Sequence, residues 1–181
     1  MKNVAFDEFV KSQQAPAQPE IDWNKRRDEW LINLDKLYSL IRGFLKEYID
    51  SDQMQFKVQP IELYEENIGS YTAKQLALKI GRRKVLFQPA GTCLSGGAKG
   101  RVDVVGPSGA NARLLLVDSN AKRTTDVLRV FLEPQGKKPI SNKKEPAEEL
   151  AWKIATRPPE RRFIEITQET FFEMIMEVAN G

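Results

Sequence analysis

The sequence predicts an α+β fold: an antiparallel five- to six-stranded meander sheet with a long N-terminal helix and a C-terminal helix packed on it. Three observations carry this. Apolar residues recur at helical spacing from Trp23 to Tyr48, switch to strand-like alternation from Gln55 to Glu133, and return to helical spacing after Thr167. No stretch of useful helical length interrupts the middle region, so consecutive strands can be joined by short turns rather than crossovers.

In the first helical segment, Asp22 or Asn24 is placed to cap a helix running to about Asp50. From Trp30 the spacing alternates four and three through Leu34, Leu37, Ile41, Phe44 and Tyr48, which puts these side chains on one face. Leu31, Tyr38 and Leu45 widen that stripe, favouring packing on a sheet over a two-stranded coiled coil. The stripe is expected to bury against Leu76, Leu78 and Val85. An overhanging end of the 22–50 helix is a candidate for homo-oligomer or protein-partner contact. Ahead of it, residues 1–20 read as a flexible segment and linker, with a short apolar motif (Val4, Phe6, Phe9, Val10) that could dock a partner. Residues 21–181 form the expected single α+β domain.

Each strand has its own punctuation. Phe56 and Val58 alternate before Pro60, which breaks or edges the strand ahead of Ile61–Tyr64. Leu76, Leu78 and Ile80 alternate with polar or small residues, and Gly81-Arg82 turns the chain into Lys84–Phe87, with Pro89 as the expected stop. Arg101–Val105 and Arg113–Val117 flank a run of turn-forming residues at 106–111. Val127–Leu132 reads as a further strand and Pro134–Lys144 as a basic loop. Pro146 opens an expected short helix through Leu150, and Trp152–Thr156 fits helix or strand equally. Arg162–Ile166 reads as a strand. Thr167 then caps a final helix with Phe171, Phe172, Ile175, Met176 and Ala179 on one face.

Composition excludes whole classes of chemistry. The 181 residues include no histidine and one cysteine, so no Ser-His-Asp triad, Cys-His dyad or His-ligated metal can form within the chain. A hydrophobic fraction of 41% supports a core, yet no apolar run approaches the ~20 residues of a membrane span. A cytoplasmic protein without a membrane partner is expected. Net charge is +3, unevenly spread. Residues 71–144 carry 15 Lys/Arg against 4 Asp/Glu, while both flanking regions are acidic. A basic middle suits an anionic partner, either nucleic acid or an acidic protein surface, or it neutralises the acidic ends internally. The candidate anion-binding residues are Arg82, Arg83 and Lys84 at one turn, Lys99 and Arg101 at another connection, and Lys122 and Arg123 after a strand end.

Other candidate sites are narrower. Gly91–Arg101 is glycine-rich with two cations, but Gly97 stands where a nucleotide-binding phosphate loop needs lysine, and a strand follows where a helix should. Cys93 has no histidine to activate it and reads as structural. Glu65 and Glu66 are neighbours on a strand, so they point to opposite faces, and both are expected to be solvated. The segment Gly-Arg-Val-Asp103-Val-Val, a turn, and Leu-Leu-Leu-Val-Asp118-Ser-Asn120 resembles the metal-binding hairpin of the PD-(D/E)XK nucleases. The resemblance implies that Asp103 and Asp118 would hold Mg²⁺ to activate water at a phosphodiester. Asn120 stands at the family's lysine position, leaving that positive charge unsupplied.

The leading expectation is a non-enzymatic binding or accessory protein that engages an anionic partner through a basic sheet and its loops, without a cofactor. A Mg-dependent nuclease or its inactive relative, and a structural assembly subunit, are the alternatives.

Overall fold

The structure, a computed structural model, describes residues 21–92, 97–123, 149–157, 160 and 162–181. The N-terminal motif, the expected strand at 127–132, the basic loop at 134–144 and Cys93 lie outside the described residues.

Helix α1 (Trp23–Phe44) begins at Asp22, whose carboxylate accepts the Lys25 N–H at 3.0 Å. It buries Trp30, Leu34, Leu37, Tyr38 and Ile41, most of the stripe its spacing foretold, while Phe44 is half-buried and Tyr48, beyond the helix end, is 42% exposed. The expected continuous helix to Asp50 is interrupted at Leu45, just after the weak helix former Gly43, and resumes as α2 (Lys46–Asp50). Seven strands follow in one sheet: β1 (Met54–Glu65), β2 (Gly69–Ile80), β3 (Arg83–Gly91), β4 (Gly100–Val105), β5 (Asn111–Asp118), β6 (Leu150–Ala155) and β7 (Phe163–Glu165). Every neighbouring pair is antiparallel and spatial order follows chain order, so the sheet is a meander. Helix α3 (Gln168–Asn180) closes the chain.

Several expectations need correction. The sheet has seven strands rather than five or six, because Trp152 lies in β6. Leu150 opens that strand instead of closing a helix. Pro60 does not break β1 but marks the sheet's edge strand, the other of the two expectations there, where a missing N–H is tolerated. Pro89 does not end β3 either. The ladder with β4 shifts register between Pro89 and Gly91, and such a bulge accommodates a residue without a ladder donor.

The core lies on one face of the sheet. Cross-strand partners Leu78–Val85, Leu76–Phe87, Phe87–Val104, Val102–Leu114 and Leu114–Ile154 form a continuous apolar surface. Both long helices pack on it: Trp30 of α1 meets Trp152 at 5.8 Å between ring centroids, and Phe171 of α3 stacks on Phe87 at 6.4 Å. Gly100 is glycine because a Cβ there would lie 2.3 Å from the Trp30 ring. The α1 residues Trp30, Leu34, Leu37, Tyr38 and Ile41 are thus occupied inside the molecule.

Helix α3 opens with a capping box between Thr167 and Thr170. Its buried positions are Phe171, Met174, Ile175, Val178 and Ala179, whereas Met176, expected inside, is 57% exposed. A helical face centred on the 171–175–178 line turns position 176 outward. No described helix is long and apolar enough to cross a membrane.

The long β1–β2 hairpin has an unusual burial pattern. Near β3 the inward positions are even (Phe56, Leu76, Leu78), but further out they are odd (Ile61, Leu63, Glu65, Tyr71, Ala73). The β1–β2 register is unbroken throughout. Beyond its pairing with β3, the ribbon therefore turns its other face inward, as the strong twist of a two-stranded ribbon allows.

Candidate anion-binding interface

On the sheet face opposite the helices, strand register lines up polar and basic side chains. One row is Gln55–Lys79–Lys84 and the next is Lys57–Ala77–Leu86–Val105–Asn111. Then come Gln88–Asp103–Arg113–Ala155 and Arg101–Leu115–Lys153–Glu165. Lys57, Lys79, Lys84 and Arg113 are exposed on this surface, and Asp103 is the single carboxylate in the first three of these rows. Alternation explains the arrangement: apolar side chains at every second position fill the helix side, leaving the intervening Lys, Arg and Gln on the other.

The β6–β7 end of this face is partly closed. Residues 119–123 cross over it, with Ala121 packed beside Val117, Ala98, Leu115 and Phe163. The buried Lys153 ammonium fastens the crossing by donating to the carbonyls of Ser119 at 2.6 Å and Ala121 at 2.8 Å. A carbonyl pair replaces the water that burial removes from the charge.

The cations singled out from sequence do not gather in one patch. In a meander, alternate turns lie at opposite ends, so the Arg82–Lys84 hairpin is remote from the β3–β4 connection bearing Lys99. Lys122 and Arg123 lie beside β7: the Lys122 carbonyl accepts the Phe163 N–H and Arg123 bridges to Arg162. Four strands, β4 to β7, lie between them and Lys84. Arg83 serves the fold, donating to the Ala179 carbonyl and to Asn180 Oδ1 at the C-terminal end of α3, where a cation is favoured. Arg101 is bound to Asp103 through Nε at 2.9 Å and Nη2 at 2.6 Å. Arg82 and Lys84 are exposed at the hairpin, beside Lys79. Lys57, Lys79 and Arg113 were missed in sequence because none is part of a run of cations; only cross-strand register puts them on one face.

The two carboxylates of the nuclease-like hairpin do not converge. Asp103 faces Arg113 across the β4–β5 ladder, and Asp118 lies five residues further along β5, about 17 Å at strand rise. An odd number of steps also puts Asp118 on the opposite face. Asp103 is held by Arg101, with Arg113 Nε 3.5 Å away, while Asp118 accepts the Asn120 N–H. Among the described residues no group of three or more acidic or thiol side chains is arranged to hold a metal ion.

Glu65 departs most from expectation. It is buried, 7% exposed, whereas Glu66 is exposed. Its carboxylate accepts the Thr92 N–H at 2.9 Å and the Thr92 hydroxyl at 2.9 Å, and also takes the Tyr71 hydroxyl. Gly91 makes this approach feasible: its φ is +106°, and a Cβ there would sit 2.6 Å from Glu65 Oε1. Arg26 of α1 donates to the Thr92 carbonyl at 3.0 Å, tying helix, hairpin and β3 end together. These contacts read as structural, because each polar atom named is turned toward protein rather than solvent.

A groove of about 610 Å³ lies on the helix side, floored by Ile154, Ile164 and Met174 and walled by Glu173 and Glu177 of α3. Helix α3 carries three glutamates, all exposed, and no Lys or Arg. The acidic character belongs to α3 alone, since α1 on the same side of the sheet carries Lys25, Arg26, Arg27, Lys36 and Arg42 against Asp28, Glu29 and Asp35. No protein-family model matches the chain, and no curated protein or solved structure does.

Proposed function

We propose that this chain is a non-enzymatic accessory protein that lies with its open sheet face against the phosphate backbone of a nucleic-acid duplex. The observation that supports it is the set of exposed cations Lys57, Lys79, Lys84 and Arg113 spread over three rows of one sheet face, set against the single carboxylate of Asp103 in those rows. Glutamines 55 and 88 on the same face add donors and acceptors without opposing charge. The rows from Gln55–Lys79–Lys84 to Gln88–Asp103–Arg113 present no aromatic ring, the usual platform for stacked single-stranded bases, so backbone contact with a duplex is favoured. Exposed Glu169, Glu173 and Glu177 on α3 would be repelled by phosphate, which disfavours an approach by that helix.

The test is a salt titration of binding to mixed-sequence DNA duplexes. Each cation that contacts a duplex phosphate contributes about 0.9 to the slope of log K against log salt, so four contacts give about −3.6. Lys79→Ala with Lys84→Ala should flatten the slope by about 1.8 and weaken binding equally on unrelated sequences. Arg83→Ala, which removes a helix-capping contact, should leave the slope unchanged. No duplex binding by the intact protein at low salt would overturn the nucleic-acid reading and direct attention to an acidic protein surface.

A further inference from the structure

Within the basic face, the cations differ in what holds them. Lys57, Lys79 and Lys84 project into solvent, but Arg101 is laid along its own strand onto Asp103, two residues away on the same face. Arg101 Nε is 2.9 Å from Asp103 Oδ1 and Nη2 is 2.6 Å from Oδ2, the two-pronged geometry in which guanidinium also takes a phosphate. Arg113, the cross-strand partner of Asp103, brings its Nε to 3.5 Å from Oδ1. The Arg101 and Asp103 side chains are 32% and 27% exposed, so the pair is accessible from the open face.

We propose, resting on the nucleic-acid reading above, that Asp103 occupies the place of a ligand phosphate. Duplex binding at β4–β5 then proceeds by exchange: a backbone phosphate takes over Arg101 and Arg113 as the carboxylate is displaced. No covalent bond changes. The consequence is selectivity. A lone anion must compete with a carboxylate already in place, whereas a polyanion anchored at Lys57, Lys79 and Lys84 presents its phosphate at high effective concentration. Asp103 thus acts through Arg101, holding it oriented while lowering affinity for stray anions.

The experiment uses the full chain, a fluorescein-labelled mixed-sequence DNA duplex and, separately, inorganic phosphate. Asp103→Asn should bind the duplex several-fold more tightly than wild type. Its salt slope should match that of wild type, because the same phosphate sits at Arg101 in both complexes. Asp118→Asn makes the same charge change on the opposite face and should not tighten binding. In an Arg101→Ala background the gain from Asp103→Asn should shrink, because the residue it releases is gone. Inorganic phosphate should compete better against Asp103→Asn than against wild type. Asp103→Ser serves as a second neutral variant, with melting temperature measured for all.

Duplex binding by Asp103→Asn no tighter than wild type, or an equal gain with and without Arg101, overturns the exchange while leaving sheet-face binding standing. Failure of wild type and every variant to bind duplex at low salt overturns both.

Discussion

Leu37→Ala is expected to lower unfolding free energy by about 2–5 kcal/mol, the range for removing a buried leucine from a core that cannot fully collapse. Leu37 is fully buried at the centre of the α1 stripe, between Leu34 and Ile41. It belongs to the same cluster as Leu76, Leu78, Val85 and Phe87 on the sheet and Phe171 on α3. Elements on both sides are fixed by other contacts: Trp30 by Trp152, and Phe171 by Phe87 and Phe44. The cavity should therefore persist. Urea unfolding would show a lower midpoint with an unchanged slope. A variant as stable as its parent would mean that α1 does not pack on the sheet as described.

Glu65→Ala should be comparably damaging, about 2–5 kcal/mol, for a different reason. The substitution deletes the acceptor shared by the Thr92 N–H, the Thr92 hydroxyl and the Tyr71 hydroxyl. Removing one side of a buried hydrogen-bond set costs more than never having built it. Glu65→Gln keeps one carbonyl acceptor but turns an amide donor toward groups that also donate, so its loss should be smaller than that of alanine. Thermal melts of the two variants rank them. Equal stability of Glu65→Ala and wild type would show that the carboxylate is solvated, as its sequence neighbourhood alone suggested.

Periodicity was informative wherever one face of an element is buried. The four–three spacing from Trp30 to Phe44 needs no knowledge of the partner, and the Asp22 cap and Thr167 box are local chemistry. Alternation in β3 to β5 likewise marks inward residues directly. What stayed hidden depends on distant chain. Pro89 lies inside a strand only because a bulge against β4 accommodates it. Glu65 is buried only because Gly91 and Thr92 arrive from β3. Met176 faces solvent because the helix presents its 171–175–178 line to the sheet.

The candidate site divides along the same line. Sequence marks a basic middle region, and Lys84 and Arg82 belong to the exposed surface. It does not show that Arg83 caps α3 or that Arg101 is paired, since both partners are set by tertiary placement or side-chain direction. The Asp103–Asp118 spacing resembles a metal hairpin in letters, yet parity along β5 separates the two groups. Lys57, Lys79 and Arg113 become one surface only through register across β1, β2, β4 and β5.

The most direct test of the sheet-face assignment is a ¹⁵N chemical-shift titration of the full chain with a mixed-sequence DNA duplex at low salt. Perturbed amides should concentrate at Gln55, Lys57, Lys79, Lys84 and Arg113, fade as salt is raised, and spare Glu169, Glu173 and Glu177 on α3. Perturbations centred on α1 or α3 with a silent sheet face, or no perturbation at all, would contradict it.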